Sequence, residues 1–277
     1  LVTIYNNLID ESSTVHSSPT VKFIKIDTEG NEIDVLKGAK NIIKEFKPTN
    51  IINFAAESHV DKSIKYPKKI ILNNILSTTN LLISAQRYFD SLKENKKNSF
   101  KFLQISTDEV YGSLSLTDNA FLETDKYFPS SPYSASKASS DHLVSSFNKT
   151  YGLPSLLTNC SNNYGPFQNT EKLIPTVIIN ALKKKEIPVY GNGLQIRDWL
   201  HVDDHCDAII AVLKNGKIGN SYNIGGNNEI TNLDLIKLIL YSINEKKNQD
   251  KFDHLDLINF IKDRPGHDFR YAINNSK

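Results

Sequence analysis

The 277-residue sequence predicts an α/β fold with a doubly wound parallel sheet and a smaller α/β lobe after it. Three observations carry this. Short apolar runs alternate with amphipathic helical stretches through the first two thirds of the chain. Each run ends in polar or small residues, as strands do where a parallel sheet presents its carboxyl edge to a ligand. Beyond Gly165 the segments shorten and turn-forming clusters such as Gly191-Asn192-Gly193 and Gly225-Gly226-Asn227-Asn228 separate them.

The elements follow in order. Asn50 to Ala56 is a mostly apolar run suited to a buried parallel strand. Ile70 to Phe89 places Ile71, Ile75, Leu82, Ala85 and Phe89 at helical spacing, and the polar stretch Lys93 to Ser99 reads as a loop. Lys101 to Ser106 is a second strand, breaking into polar residues at Thr107. Pro132 opens a helix at a favoured first-turn position, and Tyr151-Gly152 closes it. Ser155 to Cys160 is a third strand; Leu233 to Asn244 is a helix of the second lobe, and Glu245 to Asp250 is a charged surface loop.

Composition narrows the function. With 33 Lys+Arg against 31 Asp+Glu, a net charge of +2 gives no electrostatic reason to expect nucleic acid or a membrane surface as partner. Two cysteines, Cys160 and Cys206, exclude a disulfide framework and suit a reducing cytoplasm. The seven His and two Cys lack metal-ligand spacing, so no metal site is expected. No apolar run approaches the ~20 residues of a membrane-spanning helix.

Four constellations could carry chemistry. Tyr133-Ser134-Ala135-Ser136-Lys137 sets a phenol and an ammonium four residues apart on one helix face, where the ammonium helps the phenol act as a base. Taken alone, it is also what an exposed helical pair looks like. Thr107-Asp108-Glu109 puts two carboxylates at the end of an apolar strand, where different surroundings can divide acid and base roles. Asn159 to Pro166 follows the next strand and reads equally as a turn. Arg197-Asp198-Trp199 and Asp263 to His267 offer arginine forks suited to phosphate, or ordinary surface ion pairs.

Together these segments resemble the nucleotide-sugar 4,6-dehydratases of the extended short-chain dehydrogenase superfamily. Ala55 to Asp61, Ser106 to Gly112, Pro132 to Lys137, Asn162 to Pro166, Glu171 to Pro175, Arg197 to Trp199 and Asp263 to His267 occur in the family's order over roughly four fifths of the chain. The resemblance implies a Rossmann-like NAD-binding domain and a homodimer paired through the helices at 70–89 and 132–151. It makes Tyr133 the base at the sugar's 4-hydroxyl, assisted by Lys137, with Thr107 bonded to the 4-oxygen. Glu109 would take the C5 proton and Asp108 protonate the departing 6-hydroxyl. A plain epimerase, the nearest alternative, needs no such acidic pair. NAD would run past Ala55, Ala56, Glu57, Ser58 and His59, with Asn73, Asn163, Tyr133 and Lys137. The nucleotide sugar would meet Ser58, Thr107, Asn162, Lys172, Leu173, Pro188, Tyr190, Arg197, Asn232, Arg264 and His267. The stretch Arg197 to His205 is closer to the bacterial dTDP-sugar pattern than to the plant UDP-sugar one, which implies dTDP-glucose as substrate.

The resemblance is uneven. The family's opening G-x-x-G-x-x-G turn has no counterpart, since the first 111 residues contain only Gly30 and Gly38. The expected sheet therefore lacks its first βαβ unit, and the chain by itself is expected to carry no bound NAD and to have little or no dehydratase activity. Residues 21–47, with Lys25-Ile26-Asp27-Thr28-Glu29-Gly30-Asn31-Glu32, resemble the C-terminal segment of FkbM-type S-adenosylmethionine-dependent methyltransferases instead. A junction near Lys47-Pro48 follows, unless Asp27 is a displaced adenine contact. The expected organisation is residues 1–48 as this N-terminal segment, 49–166 as the NAD domain and 167–277 as the nucleotide-sugar lobe, with both ends incomplete. Asn73 to Thr78 stands where the family has T-N-x-x-G-T. A remnant that binds a nucleotide sugar without turnover is the competing function, and a methyltransferase a more distant one.

Overall fold

A computed structural model describes residues 2–5, 23–26, 43, 45–246 and 253–277. Most of the methyltransferase-like segment, Asp27 included, and residues 247–250 of the expected surface loop lie outside the described residues. The chain divides into two units. The first comprises Leu1–Val110, Ser131–Asn159 and Ile209–Tyr222, the second Tyr111–Ser130, Cys160–Ala208 and Asn223–Lys277.

In the first unit, β1 (Val2–Tyr5) pairs antiparallel with β2 (Phe23–Ile26). From there β2, β3 (Asn50–Asn53) and β4 (Lys101–Thr107) are parallel, with Ile51 opposite both Ile24 and Phe102. The sheet order is β1-β2-β3-β4-β5-β9, where β5 is Ser155–Cys160 and β9 is Ser221–Ile224. The strands follow one another across the sheet in chain order, and α1 (Val60–Lys65), α2 (Pro67–Ser91) and α3 (Glu94–Lys97) fill the crossover from β3 to β4. Helix α4 (Pro132–Tyr151) precedes β5 and packs on α2. Two successive right-handed crossovers in one direction put their helices on one face, which accounts for this contact. The arrangement is a Rossmann-like α/β sheet.

Local chemistry sets the boundaries. β3 stops at Asn53, three residues short of the apolar run, because the Asn53 side chain accepts the Ala55 N–H at 3.2 Å and turns the chain. α2 starts at Pro67, three residues before the periodic stretch. The expected loop at Lys93 to Ser99 contains the single turn α3, where Lys97 pairs with Glu94 at 2.9 Å. α4 keeps its expected limits: Ser131 and Ser134 form a reciprocal capping box, and Gly152 ends the helix at φ 69°. Ile51, Leu81, Leu82, Ala85, Phe100, Phe102 and Val144 make the core under these helices. Within it the Tyr88 hydroxyl donates to the Pro48 carbonyl at 3.1 Å.

The second unit holds β6 (Asn162–Tyr164), α5 (Leu173–Leu182), β7 (Ile187–Tyr190), β8 (Ile196–His201) and the start of α6 (Val202–Asn215). β10 (Glu229–Thr231), α7 (Asn232–Lys246) and β11 (Ile258–Ile261) complete it. β8 is central in a three-stranded sheet, antiparallel to β10 and parallel to β6, while β11 and β7 form a parallel pair. Val177, Ala181, Ile187, Val189, Ile236 and Leu240 form its core.

His205, in the first turn of α6, is buried, and burial lowers its pKa from 6.5 to about 4. Its Nε2 has no hydrogen-bond partner among the described residues. The unfolded chain takes up this proton near pH 6.5, the folded one near pH 4, so stability falls as pH drops through that interval. The loss is about 3 kcal/mol at the bottom of the interval. Urea melts of His205→Gln between pH 7 and pH 4.5 are expected to show a flatter pH dependence than the parent.

Candidate functional site

The carboxyl end of β4 and the first two turns of α4 bring the first group together. Residues 101–107 are buried except at Lys101, so the polar residues closing the strand sit in the interior. Thr107 and Asp108 are buried, and Glu109, in the following 3₁₀ turn, is half-buried. The Thr107 hydroxyl donates to Asp108 Oδ1 and accepts from the Glu109 N–H, both at 3.3 Å. These long bonds leave the hydroxyl easy to redirect. Asn159 at the end of β5 donates to the Thr107 carbonyl at 3.2 Å and fixes the backbone there.

On α4, Tyr133 and Lys137 are both buried, at 8% and 4% exposure, so this pair is no exposed helical pair. Lys137 Nζ donates to the Ile105 carbonyl at 2.7 Å, locking the ammonium against β4. One turn on, Asp141 accepts from the Ser106 hydroxyl at 2.5 Å. The Tyr133 N–H is held by Ser63 Oγ at 3.2 Å.

The Ala55 to His59 segment is held from beneath by amide side chains. Asn53 donates to Gln104 Oε1 at 2.9 Å while accepting from Ala55 N. Asn74 accepts from Glu57 N at 2.8 Å, donates to the Glu57 carbonyl at 3.2 Å, and donates to Ser136 Oγ at 2.8 Å. His59 caps α1 through Nδ1. Asn74, Ser136, Gln104 and Asp141 were missed by the sequence reading. Asn73, its neighbour, is also buried, but it is Asn74 that links the segment to α4. Ser77, in the place of the family's glycine, buries a hydroxyl without a partner among the described residues.

The second unit holds a separate polar group. Arg197 on β8 is 5% exposed. Its NH1 donates to the Ile196 carbonyl at 2.7 Å, its NH2 donates to the Asp268 carbonyl at 2.9 Å, and the guanidinium lies 4.2 Å over the Tyr271 ring. Asp198 accepts from the N–H groups of Gly226 and Asn228 at 2.8 and 2.6 Å. Residue 226 has to be glycine, since a Cβ there would fall 2.1 Å from the Trp199 carbonyl. Asp263 receives the Gln195 amide at 3.0 Å, the Arg264 N–H at 2.8 Å and His267 Nδ1 at 2.6 Å. Partial burial pushes the Asp263 carboxyl up, but the His267 bond and the nearby positive charges outweigh it and hold the group below its usual range. Burial, reinforced by the Arg264 charge, holds His267 below its ordinary value against the Asp263 bond. The ring faces the Asp263 carboxylate with Nδ1, which donates to it. The Tyr190 ring meets it edge-on at 6.1 Å.

Of the remaining expected residues, Lys172 stands at the N-cap of α5 and Leu173 begins that helix. Pro188 lies on β7 beside Asn259 of β11, and Asn232 opens α7 with its N–H on the Gln195 carbonyl at 2.9 Å. Asn162 and Asn163 each bury a side-chain oxygen that finds no hydrogen-bond donor among the described residues. Buried acceptors without donors are rare, and a ligand N–H or O–H would satisfy them. Among the described residues no group of His, Cys, Asp and Glu could hold a metal, and no helix is long and apolar enough to cross a membrane.

The comparisons with known proteins agree with one another. A family model described as GDP-mannose 4,6 dehydratase matches residues 5–277. The chain is 49% identical over 267 residues to dTDP-glucose 4,6-dehydratase of Haemophilus influenzae, covering 95% of this chain and 77% of that protein. It is 46% identical over 277 residues to the enzyme of that name from Neisseria meningitidis, covering 99% and 76%. A crystal structure of dTDP-glucose 4,6-dehydratase from Streptomyces venezuelae, with NAD and TYD bound, is similar with a TM-score of 0.76 and 37% identity, covering 87% of this chain and 69% of that one.

Asn74→Ala removes three hydrogen bonds and strands the Glu57 backbone groups. Each buried group left unmade costs about 1–3 kcal/mol. A loss of stability on the order of 2–5 kcal/mol is expected in urea unfolding. Asn73→Ala, changed as a control, should cost less.

Proposed function

Since the chain belongs to the GDP-mannose 4,6-dehydratase family, we infer that it is an NAD-dependent dTDP-glucose 4,6-dehydratase, a lyase forming dTDP-4-keto-6-deoxyglucose. The observation that carries the reading is a buried Tyr133–Lys137 pair on the helix that packs against the strand end bearing Thr107, Asp108 and Glu109. The residues expected around the nicotinamide half of NAD fit that use: a backbone segment at 55–59 fixed by Asn53 and Asn74, and an ammonium fixed by Ile105. When bound, NAD supplies the reversible uptake of hydride from C4 and its delivery to C6.

The chain's own residues do the proton chemistry. Tyr133 takes the proton of the sugar's 4-hydroxyl, the charge on its oxygen being stabilised by Lys137. Thr107 turns its weakly held hydroxyl to the 4-oxygen. A ketone at C4 acidifies the C5 hydrogen, which Glu109 removes as a proton. Asp108 protonates the 6-hydroxyl, and the C6–O bond breaks to release water. Asp108 is buried and Glu109 half-buried, unlike surroundings in which two carboxyl groups can divide acid and base roles. An epimerase has no use for this second pair.

The nucleotide half falls to the second unit. Asn162, Lys172, Asn232, Arg264 and His267 are proposed to bind it, with Pro188 and Tyr190 beside the base. Arg197 is proposed to contribute its charge rather than a free fork, since its two terminal nitrogens already serve backbone carbonyls. Cys160 and Cys206 are not joined in a disulfide, which suits a reducing cytoplasm. A homodimer is included, because α2 exposes Leu72, Leu76 and Ile83 along one stripe.

Turnover tests the reading: with NAD and dTDP-glucose, and with a β-α-β unit bearing the Gly-rich turn placed ahead of Asn50, the chain is expected to form the 4-keto-6-deoxy product. Glu109→Gln should lower its rate by about 10²–10⁴ with little change in KM. Undiminished product from that variant would remove Glu109 from the mechanism. For the dimer, sedimentation of Leu76→Arg is expected to show a monomer where the parent is twice the mass. Equal masses would sink that assignment.

A further inference from the structure

The side chains at 133, 137 and 141 lie at i, i+4 and i+8 of α4, a single stripe along one helix face. All three are buried, and the third is a carboxylic acid with 1% exposure. A fully buried Asp is rare unless it is paired. The stripe meets the end of β4 at two consecutive residues: Lys137 holds the Ile105 carbonyl, and Asp141 holds the Ser106 hydroxyl. Ser106 is the residue before Thr107. The carboxylate therefore stands one turn behind a buried ammonium and one residue behind the hydroxyl that addresses the sugar.

Among the described residues, most charged groups on the neighbouring elements are exposed. Of those on the elements packed against α4, Asp108 in the 3₁₀ turn is the other buried one. Glu109, Lys101 and Asp61 are partly exposed, and the lysines of α1 and α2 are exposed. His142, next in sequence, is exposed as well. Tyr88 of α2 is buried but titrates above its ordinary value because of that burial, and its hydroxyl is turned to Pro48.

We propose that Asp141 is a positioning residue for the Tyr133–Lys137 pair, its carboxylate anchoring Ser106 and supplying the buried counter-charge that keeps Lys137 protonated. Burial by itself favours neutral lysine, and a neutral Lys137 would no longer help the phenol ionise. A negative charge on the same stripe offsets that burial. It also raises the phenol's own ionisation point, so Asp141 sets where the pair titrates. Removing the charge lowers the titration of both groups together, because a lost negative charge disfavours protonation at every neighbouring site.

The proposal rests on the dehydratase reading for its purpose, but its test does not require turnover. Lys137 is followed by its ¹³Cε resonance, identified by its disappearance in Lys137→Arg. Tyr133 is followed by the ultraviolet difference between the protein and Tyr133→Phe. In Asp141→Asn the amide oxygen still accepts from Ser106, so the anchor stays and the charge goes. Both midpoints are expected to fall by about one pH unit relative to the parent. A packing role would leave both where they were, and that result, or opposite movements, overturns the proposal. Should Asp141→Asn fail to fold, the parent decides: a Lys137 midpoint at or above that of an exposed lysine supports the counter-charge, and one depressed by burial refutes it. If both midpoints fall while the active form makes no product, the dehydratase reading fails and the charge coupling stands.

Discussion

The hydrogen bond from Lys137 to the Ile105 carbonyl is the constraint on which the candidate site depends. A strand carbonyl at the end of a parallel sheet normally has a neighbouring strand or solvent to satisfy it. Here a helix side chain reaches it, which fixes the rotation of α4 about its own axis. With that rotation fixed, Tyr133 and Asp141 have no choice of face, and Ser136, off that stripe, comes within 2.8 Å of Asn74. Asn74 in turn carries the backbone at Glu57. One buried ammonium thus ties β4, α4, α2 and the turn after β3 into a single arrangement, each link a hydrogen bond between buried groups. Such networks are costly when one member is missing, so the parts form together or not at all.

The second unit solves a different problem, holding an irregular C-terminal stretch in place with few regular ladders. Arg197 donates to two successive carbonyls of that stretch, at Asp268 and Phe269, and stacks on Tyr271. Arg270 reaches outward, donating to Glu229 through two nitrogens and to the Ser115 and Asp118 carbonyls. Ser130 and Tyr271 both donate to the Asp268 carboxylate. Guanidinium groups suit this use because their donors are planar, several and always charged. The turn at Asp263 to His267 is fixed the same way, by a carboxylate that collects three donors.

How much of this was legible in the sequence follows from what each residue answers to. The limits of α4 were legible because Pro132, Ser131 and Gly152 act locally, within one turn of the backbone they shape. The overlong β3 was not, because Asn53 ends the strand through its side chain, and apolar runs do not record that. The methyltransferase-like segment at 21–47 belongs to a stretch that the family match nonetheless enters from residue 5. Thr107, Asp108, Glu109, Tyr133 and Lys137 were singled out because the segments that carry them match the family's motifs in order. Asn74, Gln104, Ser136 and Asp141 were not found because a polar residue in a helix or strand reads as a solvent face until a partner distant in sequence appears. Arg197 shows the reverse error of emphasis. A fork next to Asp198 looked free for phosphate, and the partners that occupy it come from some seventy residues downstream.

The roles proposed for the two carboxyl groups depend on how the chain leaves β4. Successive residues on a strand point to opposite faces and cannot address one ligand. A single 3₁₀ turn removes that restriction: Asp108, Glu109 and Val110 depart from the strand immediately after Thr107. Val110 is fully buried and pins the turn from inside, while Asp108 is buried and Glu109 is left partly open. Sequence neighbours thereby acquire unlike surroundings, which is the condition for one to give a proton while the other takes one. The unlike burial of Asp108 and Glu109 is thus set by the backbone of the turn before any ligand arrives.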